Sequence, residues 1–165
     1  SLLSNVSVPL PGFCYLKVIF NAEATTEPGR YYTLNPMSPG GAARVAFGQY
    51  LSCWRVGKHG IACPHEALLQ SRPIKYFRDA NKDYSRVGDV LESGVVGINQ
   101  HGGFDYPTND IVYASAGCLV RRRMIDQAEF MRIIKQDWRY KANDKYEFTT
   151  TLLPGDEVAK TLIKS

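Results

Sequence analysis

The sequence predicts a single, mainly β domain, on three observations. Its 165 residues are enough for one sizeable core and too few for two ordinary domains. Fourteen glycines, nine prolines and ten tyrosines favour short strands broken by turns over a helix bundle. Apolar residues fall mostly in short runs bounded by turn signals, and one long segment has helical spacing.

Residues 1–12, with Pro9 and Pro11, read as a loose arm, and residues 13–165 as the domain. Residues 13–20 alternate as a strand does, with Tyr15, Lys17 and Ile19 set against Cys14, Leu16, Val18 and Phe20. Pro28-Gly29 signals a turn, after which residues 31–34 read as a second strand that could pair with the first. Ser38-Pro39 has the form of a helix start, and Ala42, Ala43, Val45, Ala46 and Phe47 would form the apolar face of a helix running toward Tyr50. Trp54 and Val56 suggest a strand, Gly57 and Gly60 turns, and residues 66–70 a short helical turn.

Residues 74–77 form another strand candidate. Asp79, Asn81 and Asp83 then repeat oxygen donors at the spacing that opens a calcium loop. Tyr84 takes the place of the tight-turn glycine and Val90 that of the closing glutamate. A structural calcium site and a polar Asx turn both stay open. Residues 95–99 read as a buried strand leading to His101, with Gly102 and Gly103 allowing a change of direction and close approach by a peptide. Residues 104–110 form a polar loop. Asp126 and Glu129 have capping-box spacing ahead of a helix whose Phe130, Ile133, Ile134 and Trp138 should face the core. Residues 146–153 are the last strand candidate.

Twenty basic against sixteen acidic residues give a formal charge of +4, a modest bias toward anionic surfaces. Arg121, Arg122 and Arg123 form the one basic run. No nucleic-acid-binding motif surrounds it, so no nucleic-acid partner is expected. No apolar run is long enough to cross a membrane, and no basic region precedes a hydrophobic core near residue 1, so neither a transmembrane nor a targeting segment is expected in these residues. Four cysteines, at 14, 53, 63 and 118, do not by number establish disulfides; Cys53 and Cys63 are read as a pair across a turn or as free thiols. Cys53, His59, Cys63 and His65 invite a zinc reading, but their spacing does not match a compact structural-zinc pair.

The richest chemistry lies in residues 95–123. A thiol needs a base to become a strong nucleophile, and imidazole suits that task near neutral pH. His101 and Cys118 are too far apart for one helix face, but a hairpin-like return of two strands would join them.

His101-Gly102 followed by Ser115-Ala116-Gly117-Cys118 resembles the catalytic segment of the L,D-transpeptidases, cysteine enzymes that crosslink peptidoglycan. In that family an upstream histidine precedes a Ser-His-Gly-Cys motif at about this separation. Gly97-Ile98-Asn99-Gln100-His101 with Ser-Ala-Gly-Cys is similar to a divergent bacterial and phage branch. Ala116 departs from the pattern, as does an arginine at 121 instead of two positions after the cysteine.

The resemblance implies an L,D-transpeptidase-like β-sandwich with one or two packed helices, in which Cys118 is nucleophile and His101 its base. Gly102, Ser115 and Gly117 would support the oxyanion or the turn, and Tyr106, Tyr113 and Arg121 would line a groove for a peptidoglycan stem peptide. No organic cofactor is required for such acyl transfer. A periplasmic, extracellular or virion-associated setting follows from the same resemblance. The competing expectation is a noncatalytic envelope-binding or phage-particle structural module that retains the fold, with envelope or phage-particle proteins as partners.

Overall fold

The computed structural model describes residues 18–156 and 158. Among them strand exceeds helix, 34% against 17%, so the domain is mainly β. The order is β1 (Ala24–Thr25), α1 (Arg30–Leu34), β2 (Ala42–Val45), β3 (Gly48–His59), β4 (His65–Gln70), β5 (Ile74–Asp79) and β6 (Val90–Gly94). There follow β7 (Gln100–Gly102), β8 (Leu119–Arg121), α2 (Met124–Ile134), α3 (Trp138–Ala142) and β9 (Glu147–Leu152). The arm, Cys14 and most of the strand expected at 13–20 lie outside the described residues; residues 18–20 carry no regular structure.

One sheet has the strand order β1-β8-β7-β4-β3-β9 and the other β2-β5-β6. A single apolar cluster joins them: Trp54, Leu68, Phe148 and Leu119 from the first meet Val45, Ile74 and Tyr76 from the second, with Met131 of α2. Trp54 is completely buried and donates its indole N–H to Ile98 O at 2.9 Å, so the largest core side chain is also polar-satisfied. On the large sheet, β7 and β8 run parallel, with Gln100 opposite Leu119 and His101 opposite Val120. The expected hairpin-like return is therefore a crossover through residues 103–118, since parallel strands cannot be joined by a tight turn.

Several local expectations change. Residues 42–45 form a strand instead of a helix: all four are buried, and β2 pairs along its length with β5, so the apolar run there reflects burial on both faces. Gly41, at φ +102°, turns the chain into β2 where any Cβ would meet Asp79 O at 2.3 Å. Residues 31–34 belong to helix α1, tied by Thr33 Oγ1 donating to Gly29 O. Residues 66–70 extend β4, paired to β3 through Gly57, and form no helical turn.

Residues 95–99 are irregular. The N–H groups of Val96 and Ile98 donate to Gln70 Oε1, while Gln70 Nε2 donates to Gly94 O and Arg72 O. One buried amide side chain thus takes the place of a neighbouring strand.

The helix expected after Asp126 starts at Met124. Asp126 is a first-turn acid bonded to Arg123, and Asp105 Oδ1 accepts the Met124 N–H, so the capping box is not formed. Asp126, Gln127 and Met131 are the buried positions, with Phe130 and Ile134 packed partly against the core. Trp138 is exposed because α2 ends before it and α3 begins a new phase with Asp137 as cap.

Candidate active site

Four neighbouring strands of the large sheet carry or adjoin the reactive side chains of one region. His59 closes β3, His65 opens β4 directly opposite it, His101 lies on β7, and Cys118 immediately precedes β8. The chain has three histidines, and all three converge. His59 stacks on His101 with ring centres 3.9 Å apart, and His65 lies 5.8 Å from each.

Their partners fix which nitrogen carries hydrogen in each ring. His101 Nδ1 lies 2.9 Å from Gly102 O, and a carbonyl can only accept, so Nδ1 holds the proton and Nε2 keeps its lone pair. His65 Nδ1 likewise donates to Cys63 O, and its Nε2 accepts the Gly102 N–H. Asn99 Oδ1 accepts the Gln70 N–H, which turns Nδ2 toward His59 Nδ1 at 3.0 Å. His59 Nδ1 is thus an acceptor, and its hydrogen resides on Nε2.

Burial is the largest influence on His101 and lowers its pKa to about 4, with His59, His65 and Arg121 adding to the effect against the Gly102 hydrogen bond. His59 is also shifted down, by burial and then by His65. Both rings are therefore neutral at pH 7. Burial pushes the Cys118 thiol up, opposed by the Asn99 N–H that points at Sγ from 3.4 Å. The same sulfur donates weakly to Gly97 O at 3.5 Å. Among the described residues no hydrogen bond joins Sγ to His101. The resting pair is thiol and neutral imidazole.

Cys118, His101 and His59 line one cavity of about 400 Å³ with Tyr32, Tyr113 and Arg78. A second hollow beyond His101 and His59 runs beneath Cys63 and Phe104. Tyr113 stands on the cavity wall as expected, in edge contact with Tyr31 and near Tyr32. Tyr106 lies on a separate hollow with Pro107 and Ile111. Arg121 turns away under α2, its guanidinium 3.3 Å from the Phe130 ring centre and bonded to Gln127.

Ser115 is buried; its hydroxyl donates to Cys118 O at 2.8 Å and accepts the Gly117 N–H at 3.1 Å, fixing the turn that presents the thiol. Gly117, at φ +137°, lies where a Cβ would be 2.6 Å from Ala43 O, so this turn fits against β2 only as glycine. At Gly102 a Cβ would strike Met124 Sδ at 2.4 Å, so its missing side chain makes room for α2.

Asp79, Asn81 and Asp83 do form a linked polar turn. The completely buried Asp79 carboxylate accepts from Arg44 at 2.7 Å and from the Asp83 and Tyr84 N–H groups, while Asn81 Nδ2 bonds Asp83. Among the described residues, no group of three or more His, Cys, Asp or Glu side chains is arranged to hold a metal ion. Cys53, Cys63 and Cys118 are free thiols; Cys53 is buried and Cys63 exposed, so the cross-turn disulfide is not formed.

The sequence reading did not place Asn99, Tyr32 or Arg78 in this site, and it left open whether His59 or His65 would line the cleft near Cys118. Asn99 stands just before β7 and two positions before His101, a spacing that an extended run would set on one face. That was a signal available in the Gly-Ile-Asn-Gln-His run. His59 stayed an open choice, because its approach depends on the pairing of β3, β4 and β7. Compared with known protein families, curated proteins and solved structures, the chain matches none.

Proposed function

We propose that this domain is a cysteine acyltransferase or hydrolase acting on peptidoglycan stem peptides, with an L,D-transpeptidase-like β-sandwich fold. The carrying observation is the arrangement of Cys118 and His101 on one cavity, with Nδ1–H of His101 held by a backbone carbonyl and Nε2 left as the base. Two sheets sharing one core support the sandwich reading.

On this reading, rotation of the Cys118 side chain releases Sγ from Gly97 O and brings the thiol to His101. Nε2 takes the thiol proton as Sγ attacks the amide carbon of the stem peptide and the C–S bond forms. The tetrahedral adduct then expels the amine, which takes the proton back from Nε2, leaving a thioester on Cys118. An incoming amine or water attacks the thioester carbonyl and yields its proton through His101, regenerating the thiol. An amine gives transfer and water gives hydrolysis. No organic cofactor enters these steps, and a calcium ion at the Asp79, Asn81 and Asp83 turn would act only on loop order. A periplasmic, extracellular or virion-associated setting suits this substrate.

The thiol held between Asn99 N–H and Gly97 O, without a direct bond to His101, favours a second reading: a noncatalytic module that binds envelope or phage-particle proteins through the same groove. Intact-mass spectrometry of the protein with stem peptides separates the two. An adduct confined to Cys118, absent in C118A and reduced in H101A, supports the enzyme, and the released products distinguish transfer from hydrolysis. Folded protein that forms no adduct and turns over no donor peptide supports the module.

A further inference from the structure

The acyl-transfer reading leaves one chemical requirement open. As Sγ adds to the amide, the carbonyl oxygen gains negative charge and needs a hydrogen-bond donor aimed at it. Of the backbone donors expected to help, the Gly117 N–H is engaged by Ser115 Oγ and the Gly102 N–H by His65 Nε2, which leaves the Cys118 N–H beside the thiol and a place for a side-chain donor. Ala116, next to the thiol turn, has no side-chain donor.

His59 has the donor in the right company. It lines the Cys118 cavity and is stacked on the base at 3.9 Å. The Gln70, Asn99 and His59 chain leaves its hydrogen on Nε2, which has no protein partner among the described residues. Asn99 also directs its own N–H at Sγ, so one residue orients both the second imidazole and the thiol. The cavity tyrosines, by contrast, are in ring contact with Tyr31 and with one another.

We propose that His59 is the carbonyl-binding residue of this site: a neutral imidazole, fixed by Asn99 as the Nε2–H tautomer, that hydrogen-bonds the oxygen of the amide attacked by Cys118. The assignment rests on the acyl-transfer reading and adds to it a residue on β3. Burial, which disfavours the imidazolium, keeps the ring a neutral donor at physiological pH.

Two measurements test it. Nitrogen-15 NMR of histidine-labelled protein at pH 7.5 should place hydrogen on Nε2 of His59 and on Nδ1 of His65 and His101; hydrogen on Nδ1 of His59 overturns the proposal whatever the variants do. The second compares Cys118 acylation by a stem peptide containing an L-to-D amide with Cys118 alkylation by iodoacetamide, a displacement at a saturated carbon that creates no oxyanion.

His59→Leu should slow acylation by roughly 10²- to 10³-fold, the usual cost of losing one such donor, and leave alkylation near the wild-type rate. His59→Gln, whose amide nitrogen reaches about the same position, should recover most of the loss. Equal slowing of both reactions would make His59 a support for His101 and overturn the donor role. Wild-type acylation with an unaffected His59→Leu removes this assignment alone, whereas no acylation of wild type removes the acyl-transfer reading and the assignment with it.

Discussion

Lowering the pH from 7.5 to 5.0 should cost the folded protein about 2 kcal/mol through His101 alone. The ring is 3% exposed, and its folded pKa of about 4 lies below the ordinary 6.5. A depressed pKa means that the native state prefers the neutral ring. Its contribution is therefore complete above the unfolded value, falls as the pH drops through that value, and levels off below the folded one. At pH 5.0 the unfolded ring is roughly 97% protonated and the native ring roughly a tenth, which gives the 2 kcal/mol; the full difference at lower pH approaches about 3 kcal/mol. Urea unfolding of wild type and His101→Gln across pH 4 to 8 isolates this contribution, because carboxylates and His59 titrate in both proteins. The wild-type stability should fall more steeply with acid, the gap closing mostly between pH 6.5 and 4. Parallel profiles would refute the buried, neutral His101.

Other expectations follow from the same geometry. Iodoacetamide alkylation of Cys118, followed by peptide mass mapping, should rise continuously toward pH 9 and beyond, because burial raises the thiol pKa; a plateau below pH 7 would reveal a preformed thiolate–imidazolium pair instead. Gln70→Leu strands the buried N–H of Ile98 and the partner groups around it and should cost about 2–4 kcal/mol in chemical unfolding, with amide exchange accelerating first at 96–98. Asp79→Ala leaves the buried Arg44 without the fully buried one of its two carboxylate partners and should cost about 3–5 kcal/mol; a loss below 1 kcal/mol would show that Glu27 alone holds Arg44. Gly117→Ala should lower the melting temperature and suppress Cys118 chemistry together, since the added methyl meets Ala43 O.

Much of the class and of the central pair was legible in the sequence. Glycine, proline and tyrosine content pointed to β structure, and the His101 and Cys118 motifs singled out two residues that do share a cavity. Local patterning failed where burial was two-sided or where pairing was distant. Ala42 to Val45 are apolar on both faces apart from Arg44, whose charge is neutralised by Glu27 and Asp79 far along the chain, so neither strand nor helix period was visible. The segment before His101 looked like a strand because its ladder partner is a side chain, Gln70, which no periodicity reports. Tyr106 and Arg121 were placed in the groove on the resemblance, while the crossover carries one to another hollow and α2 covers the other.

The parallel pairing of β7 with β8 also bears on how such a site could diversify. The rungs from Gln100 to Leu119 and from His101 to Val120 are set by the sheet and not by the length of the chain between them. Residues 103–118 leave the sheet and return to it, and on the way contribute Tyr113 and Ala114 to the cavity wall. Phe104, Asp105 and Val112 hold left-handed backbone along this excursion, so its path is shaped locally. On the acyl-transfer proposal, insertions or exchanges at 106–112, ahead of the Ser115 to Cys118 turn, would remodel the groove while imidazole and thiol keep their places.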